Sequence, residues 1–489
     1  MAGVPTTQMF SLSLILQSAL CCVLVLLALL SSQLVVLTLI RVLAPRRHLR
    51  MAELSDAALP RVLVQLPVCD EGSLALRVAE AAARLDWPAD KLEIQLLDDG
   101  KPIGHETLRQ AVQRVGPVDI KVLRRGNRVG FKAGNLAFGL LQSDAPYVAI
   151  FDADFVPPPD FLRRTVPALL ADKDLAFVQG RWGHANRGCN WLTRAQGFLL
   201  DGHFAVEQEA RYRAGLPISF NGTGGVWSRA AIESGGGWAG DTLTEDLDLS
   251  LRCMLKGWRG AMVSSLEVPG ELPETAAGWR AQQARWTRGH AQVARKLLPE
   301  IWGSDLAVWL KAVLTLQICQ FAFYTLAAAS VVISLSLTAL AAVYLKPVAE
   351  LGLGVSVLGL LASVAYLYTG QAMLRRTDEP ELPVSLMMAI IFPSGLILAN
   401  ARATFQAFFG AKMDFTPTPK AGGVCLTAWR GHQELFVGLF LPIFALAEHA
   451  WSTPFFVFAA AGLLSIGLMG RSSAAQPATA EAMPINSQN

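Results

Sequence analysis

Charge is scarce in this 489-residue sequence: Asp, Glu, Lys and Arg together supply 17% of it. An ordinary soluble domain carries about 25%. Neither sign dominates, since 42 Lys and Arg against 39 Asp and Glu leave a formal net charge of +3. That balance is too even to point to nucleic acid as a partner. No charged residue occurs between Met1 and Ile40. The seven cysteines contain no CxxC pair, so neither a zinc site nor a disulfide framework organises the chain. Hydrophobic residues reach 52% and the mean hydropathy is +0.38. These values exclude both a wholly soluble globular protein and a disordered one.

The hydrophobicity is segregated. Met9 to Ile40 is long enough to cross a bilayer, for which about 20 residues suffice. Arg41, Arg46, Arg47 and Arg50 follow it. A secretory signal carries its positive charge before a shorter apolar core, so this pattern reads as an anchor. The positive-inside rule then places the following residues in the cytoplasm. Residues 51–300 read as a soluble domain. Phe321–Leu345 and Leu351–Leu374 read as two spans, with Arg375 and Arg376 returning the chain to the cytoplasm. Val384–Leu398 is short and broken by Pro393-Ser394-Gly395, which suits a re-entrant or interfacial segment. Leu435–Ala447 and Pro454–Met469 form a last apolar hairpin, giving about five spans in all. Trp302–Gln317 mixes Trp, Lys and Asp with apolar residues and reads as lying along the membrane surface. The organisation expected is an N-terminal transmembrane helix (9–43), a cytosolic domain (51–300), a membrane region (301–470) and a disordered tail (471–489). Gln317, Gln320, Tyr324, Tyr366, Tyr368 and Gln371 are polar residues within the membrane region. Such residues either face a bundle interior or bond helix to helix.

Within 51–300 short apolar runs alternate with helical patterns. Strands are expected at Val62–Pro67, Leu92–Leu97, Ile120–Leu123 and Tyr147–Phe151, with helices at Leu74–Leu85, Leu108–Val115 and Ala133–Leu141. That alternation implies a parallel, doubly wound α/β sheet. Ligands on such sheets bind beyond the carboxyl ends of the strands, and two acidic pairs stand at two such ends.

Asp152-Ala-Asp154 can direct two carboxylates at one hard cation, Mg2+ or Mn2+. Alone, it is equally a helix cap. Asp98-Asp99-Gly100 is either a turn or a pair of acceptors for a base and ribose. After it comes Arg125-Gly126-Asn127-Arg128-Val129-Gly130-Phe131-Lys132, a basic, glycine-rich stretch opening a helix, which suits phosphate with Lys132 as the point charge. Phe220-Asn221-Gly222-Thr223-Gly224-Gly225 allows close backbone approach. Thr244-Glu245-Asp246 crowds carboxylates, which raises their pKa values and favours base chemistry. Gln282-Gln283-Ala284-Arg285-Trp286 offers a cation for a leaving diphosphate and a ring face for a sugar; it also reads as a basic helix resting on anionic lipid.

In this order, four of these motifs, Asp98-Asp99, Asp152-Ala153-Asp154, Thr244-Glu245-Asp246 and Gln282-Gln283-Ala284-Arg285-Trp286, resemble the membrane-embedded, β-glycan synthase type of family 2 glycosyltransferase, in its cellulose synthase-like mannan and glucomannan synthase branch. Val178-Gln179-Gly180-Arg181-Trp182, Trp191-Leu192-Thr193-Arg194, Phe220–Gly224 and Phe415-Thr416-Pro417-Thr418-Pro419-Lys420 are similar to that branch. Two stretches depart from it: Cys69-Asp70-Glu71 stands where Tyr-Asn-Glu is frequent, and Gly100-Lys101-Pro102 where Ser-Thr-Asp is frequent.

The resemblance implies a GT-A type, Rossmann-like domain inserted between transmembrane helices of a multi-pass protein of the cell inner, plasma or Golgi-type membrane. Its catalytic domain is cytosolic. The implied donor, UDP-glucose or GDP-mannose, is held by Asp98, Asp99, Lys132, Gln282 and Arg285, with the metal at Asp152 and Asp154. Asp246, beside Glu245, is the implied base. Trp286, Asn221, Gly222 and Thr223 place the acceptor, a growing β-glycan. Phe415, Thr418 and Lys420 belong to a gating loop near 411–423. The expected activity is processive, inverting synthesis of a β-linked hexose polymer with its export. The alternatives are one transfer to a lipid, as in ceramide glucosyltransferases, and a transporter or scaffold that only binds nucleotide.

Overall fold

The structure is a computed structural model and describes residues 6–115, 118–340, 345–410, 431–447 and 454–475. Helix α1 (Thr6–Leu43) leads into an α/β unit. That unit comprises β1 (Val62–Val68), α2 (Ser73–Ala83), β2 (Leu92–Asp98), α3 (Pro102–Val112), β3 (Ile120–Arg124), α4 (Phe131–Leu140), β4 (Tyr147–Ile150), α5 (Val166–Ala171) and β5 (Leu175–His184). It continues through α6 (Trp191–Gly202), a π-helical turn His203–Gln208, α7 (Glu209–Arg213), β6 (Gly225–Ser228), α8 (Arg229–Ser234), α9 (Glu245–Leu255), β7 (Arg259–Gly270) and α10 (Ala276–Gly303). The apolar helices follow: α11 (Val308–Ile318), α12 (Ala322–Ala339), α13 (Lys346–Met373), α14 (Leu382–Ser394), α15 (Ile397–Phe408), α16 (His432–Ala447) and α17 (Pro454–Ala475).

Seven strands form one sheet in the order β3-β2-β1-β4-β6-β5-β7. The four strands read from the apolar runs are parallel, with β1 paired to β2 and β4, and β2 to β3. The sheet as a whole is mixed, which corrects the all-parallel expectation: β6 runs antiparallel to both β4 and β5. At four residues, behind a glycine-rich loop, β6 is too short to show a period. Helix α3 begins at Pro102, six residues before the expected Leu108, because proline is pre-set for the first helical position.

The strands of the inner sheet bury every side chain of β1 and β4, as expected for strands covered on both faces. Below the carboxyl ends lies an aromatic block. The Trp227 ring centroid is 4.8 Å from that of Phe177 and 5.2 Å from that of Phe220. Each of these fully buried side chains contributes about 2–3 kcal/mol by area removed from water. The block fixes the platform from which β4, β5 and β6 project their loops.

Three helical stretches among the described residues are long and apolar enough to cross a membrane: Met9–Leu43, Val308–Ala339 and Lys346–Met373. The pair α14 and α15, bent by 44° at its break, makes a fourth if counted as one. The bend falls at Pro393-Ser394-Gly395, where a Cβ on Gly395 would meet the backbone of Gly462 in α17. Val308–Ala339 is interrupted by a 3-10 turn at Cys319–Phe321. The last helix runs to Ala475, past the point where the tail is expected to begin.

The α/β unit is tied to the membrane helices by a buried polar hub. Asp201 is fully buried and bonds Arg187 at 2.6 Å, Arg376 at 3.0 Å, Gln371 at 3.1 Å and His184 at 3.2 Å. A buried carboxylate persists only with such compensation; here the partners outweigh burial and hold its pKa well below the usual range. Beside it α6 and α13 approach so closely that a Cβ on Gly370 would stand 3.2 Å from the Gly202 backbone. Tyr366 packs over Gly202. Tyr366 and Gln371, polar residues of the membrane region, therefore dock one unit onto the other.

Candidate active site

A cavity of about 490 Å³ opens beyond the carboxyl ends of the central strands. Its wall includes Asp99 after β2, Lys132 in α4, Asp152 and Asp154 after β4, Asn221 and Gly222 before β6, Glu245 and Asp246 at the start of α9, and Gln282, Arg285 and Trp286 on α10. Motifs spread over nearly 190 residues of sequence thus meet in one space.

Two of the expected contacts stand behind that wall. Asp98 is 3% exposed and does not line the cavity. One carboxylate oxygen accepts from the Gly100 backbone N–H at 2.8 Å; the other meets His105 at 2.7 Å and Arg124 at 3.1 Å. Successive side chains at a strand end point to opposite sides, so Asp99 faces the cavity and Asp98 does not. Thr223 is also fully buried. Its hydroxyl accepts from the Asp152 backbone N–H at 2.8 Å, so it positions the metal-type carboxylate instead of touching an acceptor. Phe415, Thr418 and Lys420 lie outside the described residues.

The basic loop is built around Arg125, which grips Asp99 with two bonds of 2.7 and 2.5 Å and donates to the carbonyls of Val129 and Phe131. Gly130 takes φ +73° at the cap of α4 and packs on Gly240 with no room for a Cβ on the latter. That close packing brings Lys132 inward. Its ammonium lies 2.6 Å from Asp152, 3.7 Å from Glu245 and 2.9 Å from the Gly222 carbonyl. Burial opposes this charge, yet Asp152 and Glu245 outweigh burial and raise the Lys132 pKa.

Glu245 and Asp246 occupy the first turn of α9, where the helix dipole favours an anion. Burial is the larger influence and raises both carboxyls; Glu245 is pushed up to about 7 against the lowering effect of Lys132. Gly222 has φ +82°, and a Cβ there would stand 3.3 Å from the Asp246 carboxylate. Asp248 does not join this group: it is fully buried behind it, bonded to Arg252 and Lys296. Arg285 is half-buried; desolvation lowers its pKa, while Glu245, Asp152, Asp154 and Asp246 oppose that shift.

Asp152 and Asp154 are a donor set that fits a hard divalent cation. Two carboxylates on one cavity wall are what such an ion uses when substrate phosphates and water complete its shell. Among the described residues, no cluster of three or more His, Cys, Asp or Glu forms a self-sufficient metal cage.

The other wall was not singled out in the sequence. The π-helical turn contributes His203, Phe204, Glu207 and Gln208. Glu207 accepts from His203 Nδ1 at 3.0 Å and pairs with the buried Arg211 at 3.3 Å. Burial pushes its pKa up, but these partners outweigh burial and hold it down at about 2. With its proton on Nδ1, His203 accepts at Nε2 from the Asn221 amide at 2.9 Å. Asn221 in turn accepts from Gln208 at 2.7 Å and Gln179 at 3.1 Å. Arg211 reaches onward to Gln317 in α11 and Gln33 in α1. The signal was present: His203, Glu207 and Arg211 recur at four-residue spacing within apolar neighbours, a helical polar stripe. Trp182 lines the same wall, its ring 6.4 Å from that of Trp286 and 5.2 Å from that of Phe204.

Two family models match the stretches that carry these motifs. The model described as glycosyl transferase family 2 matches residues 64–229, and that of glycosyl transferase family group 2 matches residues 147–370. A rice (Oryza sativa subsp. japonica) glucomannan 4-beta-mannosyltransferase 1 is 42% identical over 266 residues, covering 53% of this chain and 51% of the relative. An Arabidopsis thaliana glucomannan 4-beta-mannosyltransferase 2 is 43% identical over 255 residues, 51% of this chain and 48% of its own. The chain spans about half the length of the curated relatives it matches. Among solved structures, the mannosyltransferase PcManGT from Pyrobaculum calidifontis, in complex with GDP-Man and Mn2+, aligns with a TM-score of 0.54 at 18% identity. That alignment covers 83% of this chain and all of the other, and it shows a shared GT-A type fold.

Proposed function

We propose, from the glycosyl transferase family 2 and family group 2 models that match residues 64–229 and 147–370, that the chain is a processive, inverting hexosyltransferase of that family that builds a β-linked mannan or glucomannan from a nucleotide sugar. The observation that carries the reading is the single cavity shared by Asp99, Lys132, Asp152, Asp246, Arg285 and Trp286. The names of the relatives at 42–43% identity, both mannosyltransferases, favour a mannosyl donor, so that of the two candidates GDP-mannose comes first and UDP-glucose second.

In this reading Asp99, held by Arg125, receives the nucleoside. Lys132 and Arg285 meet the diphosphate with positive charge in a buried setting, where fixed charges act most strongly on a developing anion. Asp152 and Asp154 would hold a divalent cation, which when bound would supply positive charge to the diphosphate leaving group. Asp246 takes the proton from the acceptor hydroxyl as that oxygen attacks the anomeric carbon. Burial raises its pKa, which makes it a stronger base than an ordinary aspartate. The Asn221–Gly222 loop, held by Gln179, Gln208 and His203, and the Trp286 ring place the acceptor sugar. Attack opposite the diphosphate converts an α-linked donor into a β-glycoside.

We place the catalytic unit on the cytosolic side of a multi-pass membrane protein. The arginines after α1 support that orientation, and the apolar helices supply the spans. Membranes containing the protein, offered labelled GDP-mannose or UDP-glucose with Mg2+ or Mn2+, are expected to yield long chains that a β-mannanase releases. A product confined to a single glycolipid, or no turnover of any sugar nucleotide, contradicts the proposal.

A further inference from the structure

The cavity does not end at the carboxylates. It continues along the π-helical turn to the junction of α11 and α12, where Gln317 and Gln320 join its lining. These residues stand three apart, so a helix presents them on one face. The 3-10 turn Cys319–Phe321 interrupts the helix at this point. They lie within the otherwise apolar stretch Val308–Ala339.

The chemistry of this end is distinct. Glu207, the acid on the π-helical turn, is already met by Arg211 and His203. What remains is neutral amide and aromatic surface, with Trp182 and Trp286 beside it. Aromatic walls carrying a few fixed polar groups suit an uncharged, hydroxyl-rich ligand better than an ion or an acyl chain.

The amides are not equivalent. Gln317 accepts from Arg211 at 3.1 Å and donates to the Ser219 hydroxyl at 3.1 Å. Gln208 donates to the Ser219 carbonyl and to Asn221. Asn221 is bonded at both ends. Gln320 is half-buried in the cavity wall, and its side-chain amide makes no hydrogen bond to any described residue. An amide offers two donors and an acceptor with two lone pairs, and a half-buried one gains when a ligand supplies their partners.

Resting on the transferase reading above, we propose that Gln320 is a specificity-determining residue of a second acceptor subsite, hydrogen-bonding the sugar unit next to the one that is extended. The preferred acceptor is then an oligosaccharide of at least two hexose units, lying along the Trp182–Trp286 surface toward α11 and α12, and not a single sugar or a lipid hydroxyl.

The test uses the purified full chain in lipid nanodiscs, with GDP-mannose and Mn2+. The acceptors are mannose, β-1,4-mannobiose and β-1,4-mannotriose. The expected kcat/KM for the disaccharide exceeds that for the monosaccharide by about tenfold, roughly what one or two hydrogen bonds and a stacking contact supply. In Gln320→Leu that ratio is expected to fall toward one, and Gln320→Asn to restore part of it. A residue that only supports the fold would lower both acceptors together and leave the ratio intact; that result overturns the proposal. A ratio near one in the unmodified protein also overturns it, while leaving the transferase reading standing. Absence of transfer to every acceptor removes both.

Discussion

Asp246→Asn is expected to lower sugar transfer by about three orders of magnitude while leaving nucleotide binding in place. The exchange keeps the shape of the side chain at the first turn of α9 and removes its ability to take a proton. Lys132, Asp152 and Arg285 remain to receive the diphosphate. The neighbouring Glu245 does not substitute, because its carboxylate is engaged by Lys132 at 3.7 Å. Radiolabelled product formation measures the first quantity, and calorimetric titration with GDP measures the second. Transfer at the original rate dismisses Asp246 as the base. Loss of GDP binding in parallel with transfer assigns it to the binding of donor or to the fold.

Lys132→Met carries the second large effect, and its signature is a displaced pH profile. Lys132 lowers the pKa values of Glu245 and Asp246, against burial, which raises them. Removing the ammonium takes away the largest influence that lowers them, so both values rise. The base must be ionised to act. The acid limb of kcat/KM therefore moves to higher pH in the variant, by about one unit, equivalent to ~1.4 kcal/mol. At the pH optimum a deficit of about 100-fold persists, because a cation facing the departing diphosphate is gone. An acid limb that stays in place would show that Lys132 does not set the ionisation of this pair. A limb that moves to lower pH would reverse the sign of the electrostatic argument.

The parts of the fold that were legible in the sequence are those with strong periods. The strands β1, β2 and β4 are largely apolar runs, β2 and β4 leading into acidic pairs, and the cavity lies at those ends as the doubly wound pattern requires. Strand β6 was not legible, since four residues between a glycine-rich loop and a short helix carry no alternation. Its antiparallel run is nonetheless what sets Thr223 against the Asp152 backbone.

At the site, residue type and order located the motifs but not the direction of each side chain. Asp98 and Asp99 are chemically alike, and only the strand pleat assigns one to the cavity and the other to His105 and Arg124. The same holds for Glu245, Asp246 and Asp248: helical spacing turns the third away toward Arg252 and Lys296. The wall formed by His203, Glu207 and Gln208 escaped notice because its polar stripe lies in a helix that composition marks as core. The π-helical turn that shapes it has no sequence period of its own.

The central claim is that this cavity performs a single displacement with Asp246 as base. The most direct measurement is the anomeric configuration of the first glycosidic bond formed from GDP-α-mannose, read by NMR from the C1–H1 coupling of an isotopically labelled product. The account predicts a β-linkage in every turnover. An α-linked product would mean retention of configuration, which one displacement across this cavity cannot give.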